Sequence, residues 1–156
     1  MKKIQIAGLR QVLHLSQIEI LSLPGGTRAL ARVLDPLAES GINLEFVAFQ
    51  GGPKLSPDLI LGVHRNQVVA TLGLLKGKTE EGRALEIRCR EPAGMISLFP
   101  HGNRPAVVGD FLAAFREAEV DIWALGFSLS ALSALGEESR IPRVLVALKD
   151  FFELAG

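Results

Sequence analysis

Apolar residues along this chain switch between two periods, in the same order twice. Residues 16–22, SQIEILS, alternate as a half-buried strand does, and so do residues 94–99. After the first comes PGG, and after the second HGNRP, both turn-forming. Helical spacing then takes over at Leu30, Val33, Leu34 and Leu37, and again at Val107, Val108, Phe111, Leu112 and Phe115. Gly41 stands where a glycine ends a helix. Two strands follow in each case, over 42–49 and 58–64, then over 120–127 and 131–136. A second helix closes each set, near 66–76 and 140–153, with Asn66 and Ser139 as N-caps and Gly77 as a stop. Pro36 lies inside the first helix, where it is expected to kink it or to begin a new turn capped by Asp35.

The two sets are a repeat. Ile18 and Ile96, Val33 and Phe111, Leu37 and Phe115, Glu39 and Glu117, and Asn43 and Asp121 all stand 78 residues apart, half of the 156-residue chain. The last helices align at an offset of 76, Val68 with Val144 and Leu75 with Phe151. The reading is therefore two units, 1–78 and 79–156, joined at KGKTEEGR (76–83). Each reads β-α-β-β-α preceded by one more strand. This α+β order predicts two ferredoxin-like units, each a four-stranded antiparallel sheet with two helices on one face. The fourth strand of each sheet must come from elsewhere, because nothing strand-like follows the last helix. Strand 84–90, joined to 95–99 by a turn at EPAG (91–94), can serve either unit. Strand 4–13 can serve the first unit by hairpin or reach back to close the second.

Composition narrows the function. The chain is 48% hydrophobic, enough for a core and an interface besides. Seventeen basic and 17 acidic residues balance, which argues against a nucleic-acid or anionic-membrane surface. One cysteine, Cys89, excludes an internal disulfide framework. No signal-peptide pattern opens the chain, and no apolar stretch of about 18 residues suits a membrane span. A cytoplasmic location is the expectation. His14, His64 and His101 are scattered without metal-ligand spacing. Ser128, Ser130 and Ser133 lack a nucleophile elbow, and GLLKGK is not a P-loop. No catalytic constellation and no cofactor motif is visible.

The candidate site is the turn before each first helix together with the residue opening the next strand. A helix N-terminus offers unpaired backbone N–H groups to a carboxylate. Gly25, Gly26, Thr27 and Arg28 supply this in the first repeat, and His101, Gly102, Asn103 and Arg104 in the second. Asn43 or Asp121 could accept from an ammonium, and Ser128 adds a hydroxyl near the second corner. These turns can equally be plain strand-to-helix connections.

The stretch IEILSLPGGTRALARVLDPLAESGINLEFVAF resembles the ACT domain, a ligand-binding module of amino-acid metabolism. ISLFPHGNRPAVVGDFLAAFREAEVDIWALGFSLSALSALGEE resembles the second ACT repeat at the regulatory end of aspartokinases. The layout is similar to that of a free aspartokinase regulatory (beta) subunit. Departures from the pattern are PGGTR (24–28) in the first loop, Ala106 after Arg104-Pro105, and a Ser/Thr corner reduced to Gly126-Phe127-Ser128. The resemblance implies a non-catalytic regulator that binds a small molecule, an amino acid, at interfaces between ACT units. It also implies an amino-acid biosynthetic enzyme as a possible partner. Apolar residues on both alternating sets of INLEFVAF and VDIWALGF predict a homodimer, or an intimate pairing of the two units with further self-association. Two alternatives stand beside the regulatory reading: a small ferredoxin-like enzyme with an unrecognised site, and a degenerate ACT pair that only dimerises.

Overall fold

The computed structural model describes residues 2–52, 55–76, 85–99, 104–128 and 130–155. Strands are β1 (Ile4–Ile6), β2 (Gly8–Leu21), β3 (Leu44–Gly52), β4 (Leu55–His64), β5 (Glu86–Phe99), β6 (Ala124–Phe127), β7 (Leu132–Glu137) and β8 (Phe152–Leu154). Helices are α1 (Gly26–Glu39), α2 (Val68–Leu75), α3 (Pro105–Glu117) and α4 (Ile141–Phe151). Short 3-10 turns, Arg65–Gln67 and Glu138–Arg140, precede α2 and α4. The architecture is α+β.

Strand order is β3-β4-β2-β5-β7-β6, six strands rather than two separate sets of four. The chain divides into two compact units: Ser16–Arg90, and a terminal unit made of Met1–Leu15 with Glu91–Gly156. Both dividing points fall inside a strand. The second half of β2 and the first of β5 belong to the Ser16–Arg90 unit, and their other halves to the terminal unit.

In the Ser16–Arg90 unit, Ile18 and Ile20 of β2 and Leu59, Leu61 and Val63 of β4 share one sheet face by period-two alternation. Val33 and Leu37 of α1 and Leu75 of α2 pack on that face and are buried with it. In the terminal unit, Ile96 and Leu98 of β5 and Leu132 and Ala134 of β7 do the same. Phe111 and Phe115 of α3 and Val144 and Leu148 of α4 cover them, and the Phe111 and Phe115 rings pack tilted at 5.3 Å between centroids. Each unit thus buries both its helices on one face of its strands.

Several expectations are corrected. EPAG is no turn: β5 runs through it, and its ladder with β7 pairs Ala93 with Glu137 and Gly94 with Gly136. The first strands split at Ala7, and β2 continues through His14, which takes a left-handed φ of 62°. A strand does follow the last helix. β8 lies parallel to β1, Phe152 beside Ile4, and the buried Ile6 and Phe152 side chains join the terminal unit's core. Helix α1 continues through Pro36 to Glu39. Asn66 and Ser139 lie inside the 3-10 turns and cap nothing. Gly77 and the 77–83 part of the linker lie outside the described residues.

From the 3-10 turns onward the repeats align at 73, not 76: Arg65 with Glu138, Thr71 with Val144, Leu75 with Leu148. The burial supports this register, since these last two pairs are buried in both helices. The lost residues come out of the hairpin, whose strands are shorter in the second repeat.

Candidate effector-binding corner

The corner after α1 is set by how the helix ends. Gly41 sits at φ +68°, its N–H donating to Ala38 O at 3.1 Å, while the Ile42 N–H donates to Leu37 O at 2.9 Å. This pair of backward bonds is a Schellman cap, which satisfies the last carbonyls and turns the chain sharply. Asn43 emerges from it exposed, one residue before β3. The β3–β4 ladder pairs Leu44 with Val63, so residues 43–45 come beside His64 and the following 3-10 turn. Asn43, Glu45, His64, Asn66 and Gln67 line an open pocket of about 220 Å³. Within it, His64 Nδ1 and Asn66 Oδ1 are 3.0 Å apart. An amide oxygen only accepts, so Nδ1 is the donor in this contact.

The corresponding corner after α3 has the same backbone and other side chains. Glu119 occupies the left-handed position at φ 55°, its N–H donates to Arg116 O, and that of Val120 donates to Phe115 O, both at 3.0 Å. Asp121 follows, exposed. Trp123 takes the place of Glu45, Glu137 that of His64, Ser139 that of Asn66, and Arg140 that of Gln67. These groups bind one another. Arg140 Nε lies 3.0 Å from Glu137 Oε2, the Ser139 hydroxyl donates to Glu137 Oε1 at 3.1 Å, and Arg140 Nη1 donates to Glu119 O at 3.3 Å.

The helix-start candidates lie elsewhere. Gly25, at φ +98°, precedes α1, no side chain caps the helix, and Gly25 to Arg28 are exposed. A Cβ at Gly25 would stand 3.2 Å from that of Ala29. The 14 residues of α1 put this turn roughly 20 Å along the axis from Asn43, so a single unit does not bring the two together. Arg104 is exposed at the start of α3, ahead of Pro105. His101, Gly102 and Asn103 lie outside the described residues. Ser128 closes the β6–β7 turn, its N–H donating to Ala131 O at 2.9 Å and its Oγ accepting from the Ala131 N–H at 3.2 Å. Among the described residues, no group of three or more His, Cys, Asp and Glu is placed to hold a metal. No helix among them is long and apolar enough to cross a membrane.

Sequence reasoning found Asn43 but missed Glu45, His64 and Gln67 as its neighbours, and read Asn66 as a cap. Twenty residues separate the two sides of the pocket, and only the strand register joins them. Writing the repeats over each other at 78 exposes part of the signal, because Glu45 stands opposite Trp123, whereas Gln67 meets Arg140 only in the 73 register that the structure sets.

This is the fold of aspartokinase regulatory subunits. No family model matches the chain. The regulatory subunit of aspartate kinase from Thermus flavus superposes with a TM-score of 0.81 at 20% identity, covering 93% of this chain and 97% of that one. Aspartokinase III of E. coli, in complex with lysine and aspartate, matches with a TM-score of 0.65 at 17% identity over 95% of this chain and 33% of that one. In sequence, the chain is 24% identical over 148 residues to an aspartokinase of Corynebacterium efficiens, covering 90% of this chain. It spans about a third of the length of that curated relative (34%). The chain thus resembles the regulatory region of aspartokinases, the part of those proteins outside the kinase domain.

Proposed function

We propose that this chain is a non-catalytic regulatory module of two ACT-like repeats, 1–78 and 79–156, with exchanged leading strands, that binds an amino acid. The observation that carries the reading is the polar pocket at Asn43, at the corner where the ACT resemblance leads a ligand to be expected. The bound lysine and aspartate of the E. coli neighbour make amino acids the natural ligand class. Uncapped N–H groups at the start of α1 suit the carboxylate. Because α1 separates that turn from Asn43, a ligand using both ends is held between two copies of the chain.

Pairing of copies also accounts for uncovered apolar residues at the same places in both repeats. Val47 and Phe49 on β3, 48% and 42% exposed, correspond to Leu125 and Phe127 on β6, 40% and 56% exposed. Each pair lies on an outermost strand of the order, where an edge is open to a partner. The signal passes to an amino-acid biosynthetic enzyme through that association. Isothermal calorimetry against the twenty amino acids tests the function: one or a few bind, and no heat from any of them overturns it. Light scattering tests the assembly, a dimer at micromolar concentration being expected and a strict monomer contradicting it.

A further inference from the structure

We propose that the outer face of α4 is a self-association surface, on which a second copy of this chain packs its own α4 antiparallel about a two-fold axis. In the terminal unit, an open groove of about 400 Å³ runs beside α4, lined by Glu117, Ala118, Arg143, Val146, Ala147 and Asp150. Positions 143, 146, 147 and 150 recur at helical spacing, so these four side chains form one stripe along α4. Val146 stands 65% exposed in the middle of the stripe, while Ala118 and Ala147 are buried beside it. A knob thus lies next to a hole of small residues, as a helix packing on its own copy requires.

The charges set the direction of that packing. Arg143 is in the first turn of α4 and Asp150 in the last, each at the end whose dipole disfavours it. Among the described residues, neither side chain has a hydrogen bond or an ion pair. They stand two turns apart, roughly 10 Å along the axis. In an antiparallel pair centred between Val146 and Ala147, Arg143 of each copy faces Asp150 of the other. Val146 of each copy then enters the small-residue hole of the other. A parallel pair would set like charges together. The fold itself does not require these charges, because α2 carries Ala70 and Gly73 at the positions of Arg143 and Val146. Glu117 belongs to α3 and lies off the stripe. Exposed ion pairs add little affinity in water, and here they fix the partner and its direction. A contact centred on one 11-residue helix is small for a specific interface, so it is weak and sensitive to salt. It is separate from the edge-strand pairing proposed above: with that pairing it takes dimers to tetramers, and without it monomers to dimers.

The experiment is sedimentation velocity of the whole chain, from micromolar to millimolar concentration, on the parent, Arg143→Asp, Asp150→Arg and the double exchange. The parent is expected to associate one step further than either single variant, whose dissociation constant for that step rises about tenfold or more. One single variant has a wholly acidic stripe and the other a wholly basic one, so an equimolar mixture of the two is expected to regain the step. The double exchange restores opposite charges and is expected to associate as the parent does. Both residues are exposed, so the variants should fold, which circular dichroism checks. In the double exchange each charge also moves to the helix end that favours it, so a failure there is not a failure of folding. The inference is overturned if the parent goes no further than the single variants, if their mixture stays as dissociated as its components, or if the double exchange does.

Discussion

The ends of α1 and α3 share one backbone and differ in almost every side chain that follows. Both close with the same two backward hydrogen bonds, from Gly41 and Ile42 in one and from Glu119 and Val120 in the other. One cap uses glycine at positive φ, and the other forces a glutamate there. One is followed by a polar pocket lined by Asn43, Glu45 and Gln67, the other by a cluster around Arg140 and Glu137. The difference teaches that backbone geometry was kept through the repeat while the chemistry of the corner diverged.

The largest expected effects lie in the cores behind the two caps. Phe115 and Leu37 are equivalent and almost fully buried, but Phe115 also packs against Phe111. Phe115→Ala is expected to cost about 3–5 kcal/mol, and Leu37→Ala about 2–4 kcal/mol. Urea unfolding followed by circular dichroism checks both, and a larger loss in Leu37→Ala would break the comparison.

A smaller effect separates the caps themselves. A Cβ at Gly41 meets nothing within 4 Å, so Gly41→Ala costs only the left-handed backbone, about 1–2 kcal/mol. Glu119→Gly relieves that same cost and is expected to stabilise by up to about 1 kcal/mol, reduced by the entropy glycine loses on folding. Thermal melts of the two variants should therefore move in opposite directions. Equal signs would mean that the Arg140 bond to the Glu119 carbonyl, not the residue's φ, governs the second cap.

Much of this was legible in the sequence. Period and repeat located all four helices, because the apolar spacing of α1 and α3 is dictated by burial on one face. The position of Gly41 likewise announced its cap. The run through EPAG was not legible, because proline and glycine are turn residues locally, and only the ladder to β7 keeps Ala93 and Gly94 in a strand. Nor was β8, whose three residues gain strand geometry from a partner nearly 150 residues away. Asn43 was found from its corner, whereas Glu45 and His64 became its neighbours only through a strand register that local pattern does not specify.

The central claim is that the ligand sits at the Asn43 corner, and a matched pair of variants tests it most directly. Calorimetric affinities would be measured for the parent, Asn43→Ala and Asp121→Ala with whichever amino acid binds the parent tightest. Both residues are exposed, so both variants should fold. Asn43→Ala is expected to lose one hydrogen bond to a charged group, about 1.5–3 kcal/mol, or roughly tenfold to a hundredfold in Kd. Asp121→Ala is expected to bind as the parent does. Loss of binding in Asp121→Ala with Asn43→Ala unaffected, or parent-like binding in both, would contradict the account.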